Sequence, residues 1–332
     1  MASLTECAGD PQVEPPPLVT VLTPAYNRAG LLPETIESVL DQDYPSFEYL
    51  VLDDGSTDET PTVAARYAGR VRYLRHDNLG EARTVNRGLE EARGELIAVV
   101  NSDDPVRPGF LSAMVAALAA HPEAVVAYPD WELIDRDSRV VEVRRAPEHD
   151  FERMVAANWC YIGPGAVFRR RLVERIGGRD PSYRQVGDLD FWLRAGLHGP
   201  FVHVPRALAT WRSHPGSTSV ADVSEEKVAE YVRVMERFFE QPGMGPELLR
   251  LRPQALAMAH HIAALKTMWR RRPLARRHLA RSLRLHPTLR SCHPSHPRSL
   301  KIILRTFLLP QSLDRALLTR WMRLRYGRQP SI

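Results

Sequence analysis

The 332-residue sequence has little cysteine and no long apolar run. Cys7, Cys160 and Cys292 are far apart and form no CxxC pair, so they indicate neither a disulfide framework nor a zinc site. No segment approaches the roughly 20 apolar residues that cross a bilayer. The N-terminal stretch "MASLTECAGDPQVEPPP" lacks the basic-then-apolar pattern of a signal peptide. We therefore expect residues 1–16 to form a disordered lead and the protein to be cytoplasmic.

Two common phosphate-binding motifs are also missing. The sequence contains no G-x-G-x-x-G and no G-x-x-x-x-G-K-[ST], and the first strand-to-helix connection is "TPAYNRAG". A dinucleotide-dependent dehydrogenase and a P-loop ATPase are therefore both poorly supported.

Charge is distributed unevenly along the chain. Residues 241–332 carry 19 Lys and Arg against 2 Asp and Glu, a net charge of +17, whereas the first 240 residues carry −12. Three interpretations of the basic region stay open: a helical subdomain packed on the main body, contact with an anionic membrane surface or lipid-linked acceptor, and nucleic-acid binding. Nucleic acid is the least favoured, since no aromatic-rich motif accompanies the charge. A membrane contact would make the protein peripheral on the inner face of the membrane.

Strands and helices alternate over the first hundred residues. The apolar run Leu18–Leu22 predicts a strand that ends at Thr23-Pro24, and Phe47–Leu52 predicts a second. Val71–Leu74 predicts a third, brief strand, and Glu95–Val100 predicts a fourth that runs into "NSDDP". Strands that alternate with helices of this length pair in parallel, with helices on both faces of the sheet. The pattern therefore predicts an α/β fold.

Helix signals complete this outline. Ser56 and Glu59 have the spacing of a capping box, which predicts a helix from there to about Tyr67. After Ala124 the alternation loosens, and "FVHVP" and "ALATWRSHPGSTS" predict two successive strands. From about Val223 the chain is predicted to be helical to its end.

Paired aspartates follow two of the predicted strands. Asp53 and Asp54 end the second strand, and Asp103 and Asp104 follow the fourth. The carboxyl ends of strands in an open parallel sheet line the ligand crevice. A single Asp-Asp-Gly is more simply a turn and helix cap, but two such pairs predict a divalent Mg²⁺ or Mn²⁺ that also binds substrate phosphates.

An ordered set of motifs resembles a known family. "VTVLTPAYNRAGLLPETIESVLDQDYPSFEYLVLDDGSTDET", "NLGEARTVNRGLEEARGELIAVVNSDD", "GDLDFWLRAG" and "WRSHPGSTS" are similar to the family 2 inverting glycosyltransferases of the GT-A fold, over Pro17 to Ser219. The resemblance implies a Rossmann-like, mostly parallel sheet flanked by helices. It implies a catalytic domain at 17–222, with a nucleotide-binding half at 17–105 and an acceptor half at 106–222. The basic region at 223–332 lies outside the resemblance, and its sequence pattern predicts a C-terminal helical extension.

The resemblance also implies a donor site. Thr23, Ala25 and Tyr26 are expected to surround the nucleotide base and ribose, and Asp54 to receive a base N–H. Arg83 matches a position where a basic residue approaches the nucleotide. The base is most often uracil in this family, so a UDP-sugar is the expected donor.

The metal site implied by the resemblance lies in "NSDD" and "WRSHPGSTS". Asn101 or Ser102 stands where the family's D-x-D element begins with an acid, so the work falls to the pair that follows. We assign Asp104 as the metal ligand and Asp103 as a ribose or indirect metal contact. His214 resembles a late histidine that contacts the metal or the diphosphate.

Asp188, in "GDLDFW", is the candidate general base. Relatives often carry a Glu-Asp pair here, and Gly187 departs from that pattern. Displacement at the anomeric carbon requires a carboxylate to take the acceptor's proton, and a cation to stabilise the departing diphosphate. The alternative role for Asp188 is that of a helix N-cap. Asp190 is the rival candidate for the base, and it is expected instead to face solvent or pair with Arg194.

The resulting hypothesis is a metal-dependent inverting glycosyltransferase. Its acceptor would be a glycan, a lipid-linked sugar or a small molecule, in cell-surface polysaccharide, lipid-linked glycan or natural-product synthesis. A nucleotidyltransferase is the alternative enzyme, although its glycine- and arginine-rich phosphate loop is missing. A non-catalytic glycan- or membrane-binding protein is the alternative outside enzymes.

Overall fold

The computed structural model describes residues 15–213, 224–268 and 271–286. Its strands are β1 (Val19–Ala25), β2 (Phe47–Asp54), β3 (Arg72–His76), β4 (Leu96–Val99), β5 (Val126–Ile134), β6 (Val140–Arg144), β7 (Val167–Arg169) and β8 (Phe201–Arg212). Its helices are α1 (Leu32–Leu40), α2 (Thr60–Ala65), α3 (Glu81–Glu91), α4 (Phe110–Ala120), α5 (Phe151–Ala156), α6 (Arg170–Ile176), α7 (Gly187–Gly196), α8 (Glu225–Phe238), α9 (Pro246–Leu249), α10 (Arg252–Thr267) and α11 (Arg272–Leu285).

The strands form one mixed sheet in the order β3-β2-β1-β4-β7-β5-β6, and β8 also pairs with β5. β3, β2, β1 and β4 run parallel, as does the β5–β8 pair, whereas β7 is antiparallel to both of its neighbours. The predicted α/β class with a mostly parallel sheet is confirmed. From β1 the chain adds β2 and β3 on one side and then crosses to add β4 on the other side. The strand order therefore reverses between β1 and β4, and this is the position at which open α/β sheets bind ligands.

The first two strands are longer than predicted. β1 continues through Thr23-Pro24 to Ala25, so the prediction that the proline ends it was wrong. Pairing with β4 stops at Leu22, whereas pairing with β2 continues to the end of β1. Pro24 therefore lies where β1 has only one neighbouring strand, a position at which a missing N–H is tolerated. β2 likewise includes both of its aspartates.

Three further helix and strand predictions were wrong or incomplete. The capping box does not form: α2 begins at Thr60, and no side chain caps it. The two strands predicted after residue 200 are one, β8, because register shifts against β5 at Asp130 absorb the irregularity around Pro205. The sequence also gave no signal for α4, "FLSAMVAALAA", which is apolar on most sides and so lacks an amphipathic period.

Side chains along β2 alternate between two apolar layers. Tyr49 and Val51 pack on one face of the sheet, and Leu50 and Leu52 pack on the other. The second layer also contains residues of the C-terminal helices, so α8 and α10 share its core: Val234, Met235 and Phe238 of α8, and Ala255 and Ala259 of α10. Among the helices that the structure describes, none is long and apolar enough to span a bilayer.

Gly94, between α3 and β4, is a close-packed point of this sheet. A Cβ there would lie 2.5 Å from the Thr20 nitrogen and 2.7 Å from the Leu18 oxygen, both backbone atoms that cannot rotate away. We expect Gly94→Ala to lower the free energy of unfolding by about 2–3 kcal/mol. Urea denaturation measures this, with Gly30→Ala as the control because nothing lies within 4 Å of its Cβ position. Equal urea midpoints for the two variants would contradict the packing argument.

Candidate active site

The loops that follow β1 and β2 are held together at the carboxyl edge of the sheet. The Asn27 nitrogen donates to Ser56 Oγ at 2.9 Å, and the Asn27 side-chain oxygen accepts from the Thr57 nitrogen at 2.8 Å. The Arg28 nitrogen donates to Thr60 Oγ1 at 2.9 Å. Asn27 has a φ of 53°, a left-handed conformation that asparagine tolerates better than most residues. These contacts give "AYNR" one defined path over the ends of the strands.

Asp53 is a structural group of this edge. It is fully buried, and its Oδ1 accepts from the Ser56 nitrogen at 2.8 Å. Its Oδ2 accepts from the Tyr73 hydroxyl, and the Arg75 guanidinium lies 3.6 Å away. Burial and then this carboxylate raise the pKa of Tyr73, which therefore stays a hydroxyl donor. Asp53 fixes the turn after β2 and faces away from solvent.

Asp54 points to the opposite face of the sheet and supports α3. Its two oxygens accept from the backbone nitrogens of Leu79 and Gly80, at 2.6 and 3.0 Å. Asp54 is only 4% exposed, so a nucleotide base N–H would have to share these oxygens with two main-chain donors. Its role toward the base stays a prediction.

The other predicted donor residues differ in accessibility. Thr23 is fully buried, and its hydroxyl is 3.0 Å from that of Tyr49. Ala25 is also buried, whereas Tyr26 is 45% exposed. Arg83 is exposed on α3. Of these four residues, only Tyr26 and Arg83 are exposed to solvent.

The second acidic pair divides into a buried and an accessible carboxylate. Asp104 is 4% exposed, and its oxygens accept from the Arg212 nitrogen at 2.7 Å and from Asn101 Nδ2 at 2.9 Å. Burial, and then the charge of Asp103, raise the pKa of Asp104. The Asp103 side chain is 17% exposed and lies 3.3 Å from Arg28 Nε. The geometry therefore favours Asp103 over the predicted Asp104 as the group available to a metal.

Arg212, at the end of β8, was not identified from the sequence. Its guanidinium is almost fully buried and donates to the backbone oxygen of Asp103 at 2.9 Å and to that of Asp135 at 3.1 Å. It also donates to Ser138 Oγ at 2.9 Å and to Glu34 Oε2 at 2.6 Å. The one signal in the sequence was an arginine that closes an apolar strand, "ALATWR". Arg212 joins the acidic loop, the turn after β5 and α1.

Asp188 lies in the first turn of α7. The residue is exposed to solvent, and its Oδ1 accepts from the Leu189 nitrogen at 2.7 Å. It is not the helix N-cap, a position that Val186 occupies. Burial raises the pKa of Asp188, and the charge of Arg179 opposes that rise. Arg179 in turn pairs with Glu81 at 2.7 Å.

Asp190, the rival carboxylate, is engaged elsewhere. Its Oδ2 accepts from Arg194 Nε at 2.9 Å and Nη2 at 2.7 Å, which is one of the two alternatives expected from the sequence. Arg194 also donates to the backbone oxygens of Ile176 and Gly178, and so ties α7 to the end of α6. Asp190 therefore orients Arg194 and is not free to accept a proton from a ligand.

Two predicted features bear on the metal. His214 lies outside the described residues, so its role stays a prediction. Within 15–213, 224–268 and 271–286, no group of three or more His, Cys, Asp or Glu side chains is arranged to hold an ion.

Residues 20–177 match the family model described as "Glycosyl transferase family 2". The match covers just under half of the chain. The succinoglycan biosynthesis protein ExoO of Rhizobium meliloti is 34% identical over 56% of this chain and 57% of its own length. The chain spans 23% and 58% of the lengths of two other relatives, from Sinorhizobium fredii and Rickettsia prowazekii. Asp188, Arg212 and α8 lie beyond the family match.

Solved structures confirm the predicted GT-A fold. Staphylococcus aureus TarS 1-349, in complex with UDP-GlcNAc, superposes with a TM-score of 0.61 at 20% identity, over 86% of this chain and 91% of that one. The mannosyltransferase PcManGT of Pyrobaculum calidifontis, in complex with GDP-Man and Mn²⁺, superposes with a TM-score of 0.56 at 18% identity, over 98% and 92%. At these identities the likeness establishes the fold alone.

The two carboxylates of "NSDD" are expected to respond differently to amidation. Asp104→Asn turns an amide NH₂ toward a buried donor, so we expect a loss of about 1–3 kcal/mol in the free energy of unfolding. Asp103→Asn should change stability by less than about 1 kcal/mol, because its contact with Arg28 is partly solvated. The same variant should, however, lose the additional rise in melting temperature that Mn²⁺ gives to the protein when UDP is also present. Urea denaturation and thermal shift measure both; full Mn²⁺-dependent stabilisation of Asp103→Asn would refute its assignment.

Proposed function

We propose that this chain is a metal-dependent inverting glycosyltransferase that moves a sugar from a nucleoside-diphosphate donor, a UDP-sugar by expectation, to an acceptor hydroxyl. The observation that carries the proposal is the division of labour among its acidic residues. Asp53, Asp54, Asp104 and Asp190 are buried and accept from donors of the fold. Asp103, which pairs with Arg28, and Asp188, which accepts from the Leu189 nitrogen, keep carboxylates that solvent can reach. Two accessible carboxylates meet the two requirements of direct displacement, a metal ligand and a base.

Asp103 is the residue that would hold the metal. Mg²⁺ and Mn²⁺ prefer oxygen ligands and commonly bind through one or two carboxylates together with substrate phosphates, so a single accessible aspartate fits an ion carried by a diphosphate. Arg28, 3.3 Å from Asp103, is placed to pair with the same phosphates. PcManGT, with GDP-Man and Mn²⁺, supports this proposal by its fold. A bound ion would stabilise the negative charge of the departing diphosphate.

Asp188 would accept the proton of the acceptor hydroxyl. The acceptor oxygen forms a bond to the anomeric carbon while the bond from that carbon to the diphosphate oxygen breaks, and the proton passes to Asp188. The electron pair of the broken bond leaves with the nucleoside diphosphate. Attack opposite the leaving group inverts the anomeric centre, and no covalent intermediate on the protein is needed.

The relatives favour a polysaccharide or related glycan as the acceptor, as the name of ExoO indicates. Contact of the basic C-terminal region with an anionic membrane surface stays a prediction. The exposed arginines of α11, Arg276, Arg277, Arg281 and Arg284, are compatible with it. A screen of UDP-, GDP- and dTDP-sugars for release of the nucleoside diphosphate tests donor use, and no turnover with any donor across the acceptor classes would count against the proposal.

Removing the base should stop transfer and leave the donor site intact. We expect Asp188→Asn to lower kcat by about 10²–10⁴-fold, because an amide accepts no proton. Binding of UDP with Mn²⁺, measured by calorimetry, should stay within about twofold of the wild type.

Asp190→Asn is the matched control two residues away. It should destabilise α7 through loss of the pair with Arg194 but retain kcat within a few-fold in folded protein. If Asp188→Asn kept full activity, or if Asp190→Asn were the inactive variant, the assignment of the base would be wrong.

The acid limb of activity should follow the charges around Asp188. Only the ionised carboxylate accepts a proton, so kcat/KM falls as pH drops through this pKa, which burial raises above the ordinary value of about 3.9. Arg179→Gln removes a charge that lowers the pKa and should move the limb to higher pH. Glu81→Gln should move it to lower pH. Cys160 and Tyr231, also near Asp188, stay neutral because burial raises both of their pKa values. Shifts of the same sign in the two variants would contradict this.

A further inference from the structure

The segment that leads into Asp188 contains no helix or strand of its own. Residues 177–186 connect α6 to α7, and they form turns and irregular backbone rather than a helix or a strand. Such a segment has few main-chain bonds to set its path, so the position of the first turn of α7 depends on what packs against it. Helix α8, from the C-terminal region, lies against this segment.

Glu230 of α8 is the central contact. It is 2% exposed, and its two oxygens each accept from the Arg184 nitrogen at 3.0 Å. Its Oε2 also accepts from the Gln185 nitrogen at 2.7 Å. A buried carboxylate is tolerated when main-chain donors satisfy it, and such bonds to a charged group are among the stronger ones. Glu230 therefore holds the two residues just before Val186, the N-cap of α7.

Two arginines extend the same face of α8. Arg233 and Arg237 follow Glu230 at spacings of three and seven residues, which places all three on one side of the helix. Arg237 Nη1 donates to Asp180 Oδ2 at 2.7 Å and to Ser182 Oγ at 3.1 Å. Arg233 Nη2 donates to the backbone oxygen of Ser182 at 2.9 Å. The Tyr183 ring lies 5.1 and 5.6 Å from the two guanidinium carbons. The segment is thus held along its length by one helix face.

The neighbouring residue of α8, Tyr231, contacts a second loop. Its backbone oxygen accepts from Asn158 Nδ2 at 3.2 Å, which ties α8 to the loop between α5 and β7. Burial, and then the charge of Asp188, raise the pKa of Tyr231 to about 12. One helix therefore contacts both the segment that carries Asp188 and the loop that contains Cys160, which also lies near this carboxylate.

We propose that α8 positions the catalytic base, and that Glu230 is the positioning residue through which it does so. The inference rests on the proposed function, since it takes Asp188 to be the base. It makes the C-terminal region a working part of the catalytic unit, although α8 lies beyond the residues that match the family. Geometry at a base matters steeply, since a displacement of about 1 Å can cost about 10²-fold in rate.

Glu230→Gln in the full chain tests this. The amide keeps the shape but removes the charge and turns an NH₂ group toward main-chain donors. We expect kcat to fall about 10- to 100-fold, with the Kd for UDP in the presence of Mn²⁺ within about twofold of the wild type. Hydrogen exchange of the peptide that covers residues 183–189 should be faster. Glu236→Gln, an exposed glutamate of the same helix, is the matched control and should leave all three measurements unchanged.

A purely structural role would give a different result. If Glu230→Gln lowered the melting temperature but kept wild-type kcat well below that temperature, with unchanged exchange at 183–189, the proposal would be overturned. Should this variant fail to fold, Arg237→Gln, which is half-exposed, should lower kcat several-fold with an unchanged Kd; wild-type kcat would then overturn it. Absence of turnover in the wild type with every donor would defeat the proposed function instead, and exchange at 183–189 would still test the contact.

Discussion

Buried carboxylates that accept main-chain N–H groups hold the loops around the candidate site. Asp53 and Asp54 bind the two loops that follow β2 and β3, Asp104 binds the end of β8, and Glu230 binds the segment before α7. A loop has few partners for its own backbone groups, and a carboxylate supplies two strong acceptors at once. Each of these acids would be costly to bury without such donors.

This use of carboxylates limits the negative charge that the two acidic motifs present to solvent. Four acids within two short motifs would repel one another if all faced the same cleft. Instead, alternation along β2 sends Asp53 and Asp54 to opposite faces, and the turn after β4 buries Asp104 while Asp103 stays accessible. The buried, positively charged side chain of Arg212 donates to the backbone oxygen of Asp103 in this turn. The accessible charge is thereby limited, which suits the proposed binding of a diphosphate.

The C-terminal helices are joined to this arrangement by packing as well as by hydrogen bonds. Val234 and Phe238 of α8 lie in the same apolar layer as Trp192 of α7, so α7 and α8 share a core. Glu230 adds the polar contact at the edge of that core. The family match, which ends at residue 177, contains neither helix. The proposed base and the helix that packs against it therefore both lie outside the segment that matches the family model.

Sequence periodicity alone determined the α/β class, most of the strands at the carboxyl edge of the sheet, and the acidic positions at the ends of those strands. It could do so because burial imposes an alternation or a helical period that is visible locally. It failed at Pro24, where the end of a neighbouring strand decides whether proline is tolerated, and at Ser56, whose side chain bonds to Asn27 rather than capping a helix. Which aspartate of the second pair stays accessible, and the contacts of Arg212 and Glu230, depended on tertiary structure. Those partners lie 45 residues or more apart along the chain, and no local pattern specifies which distant donor a carboxylate will meet.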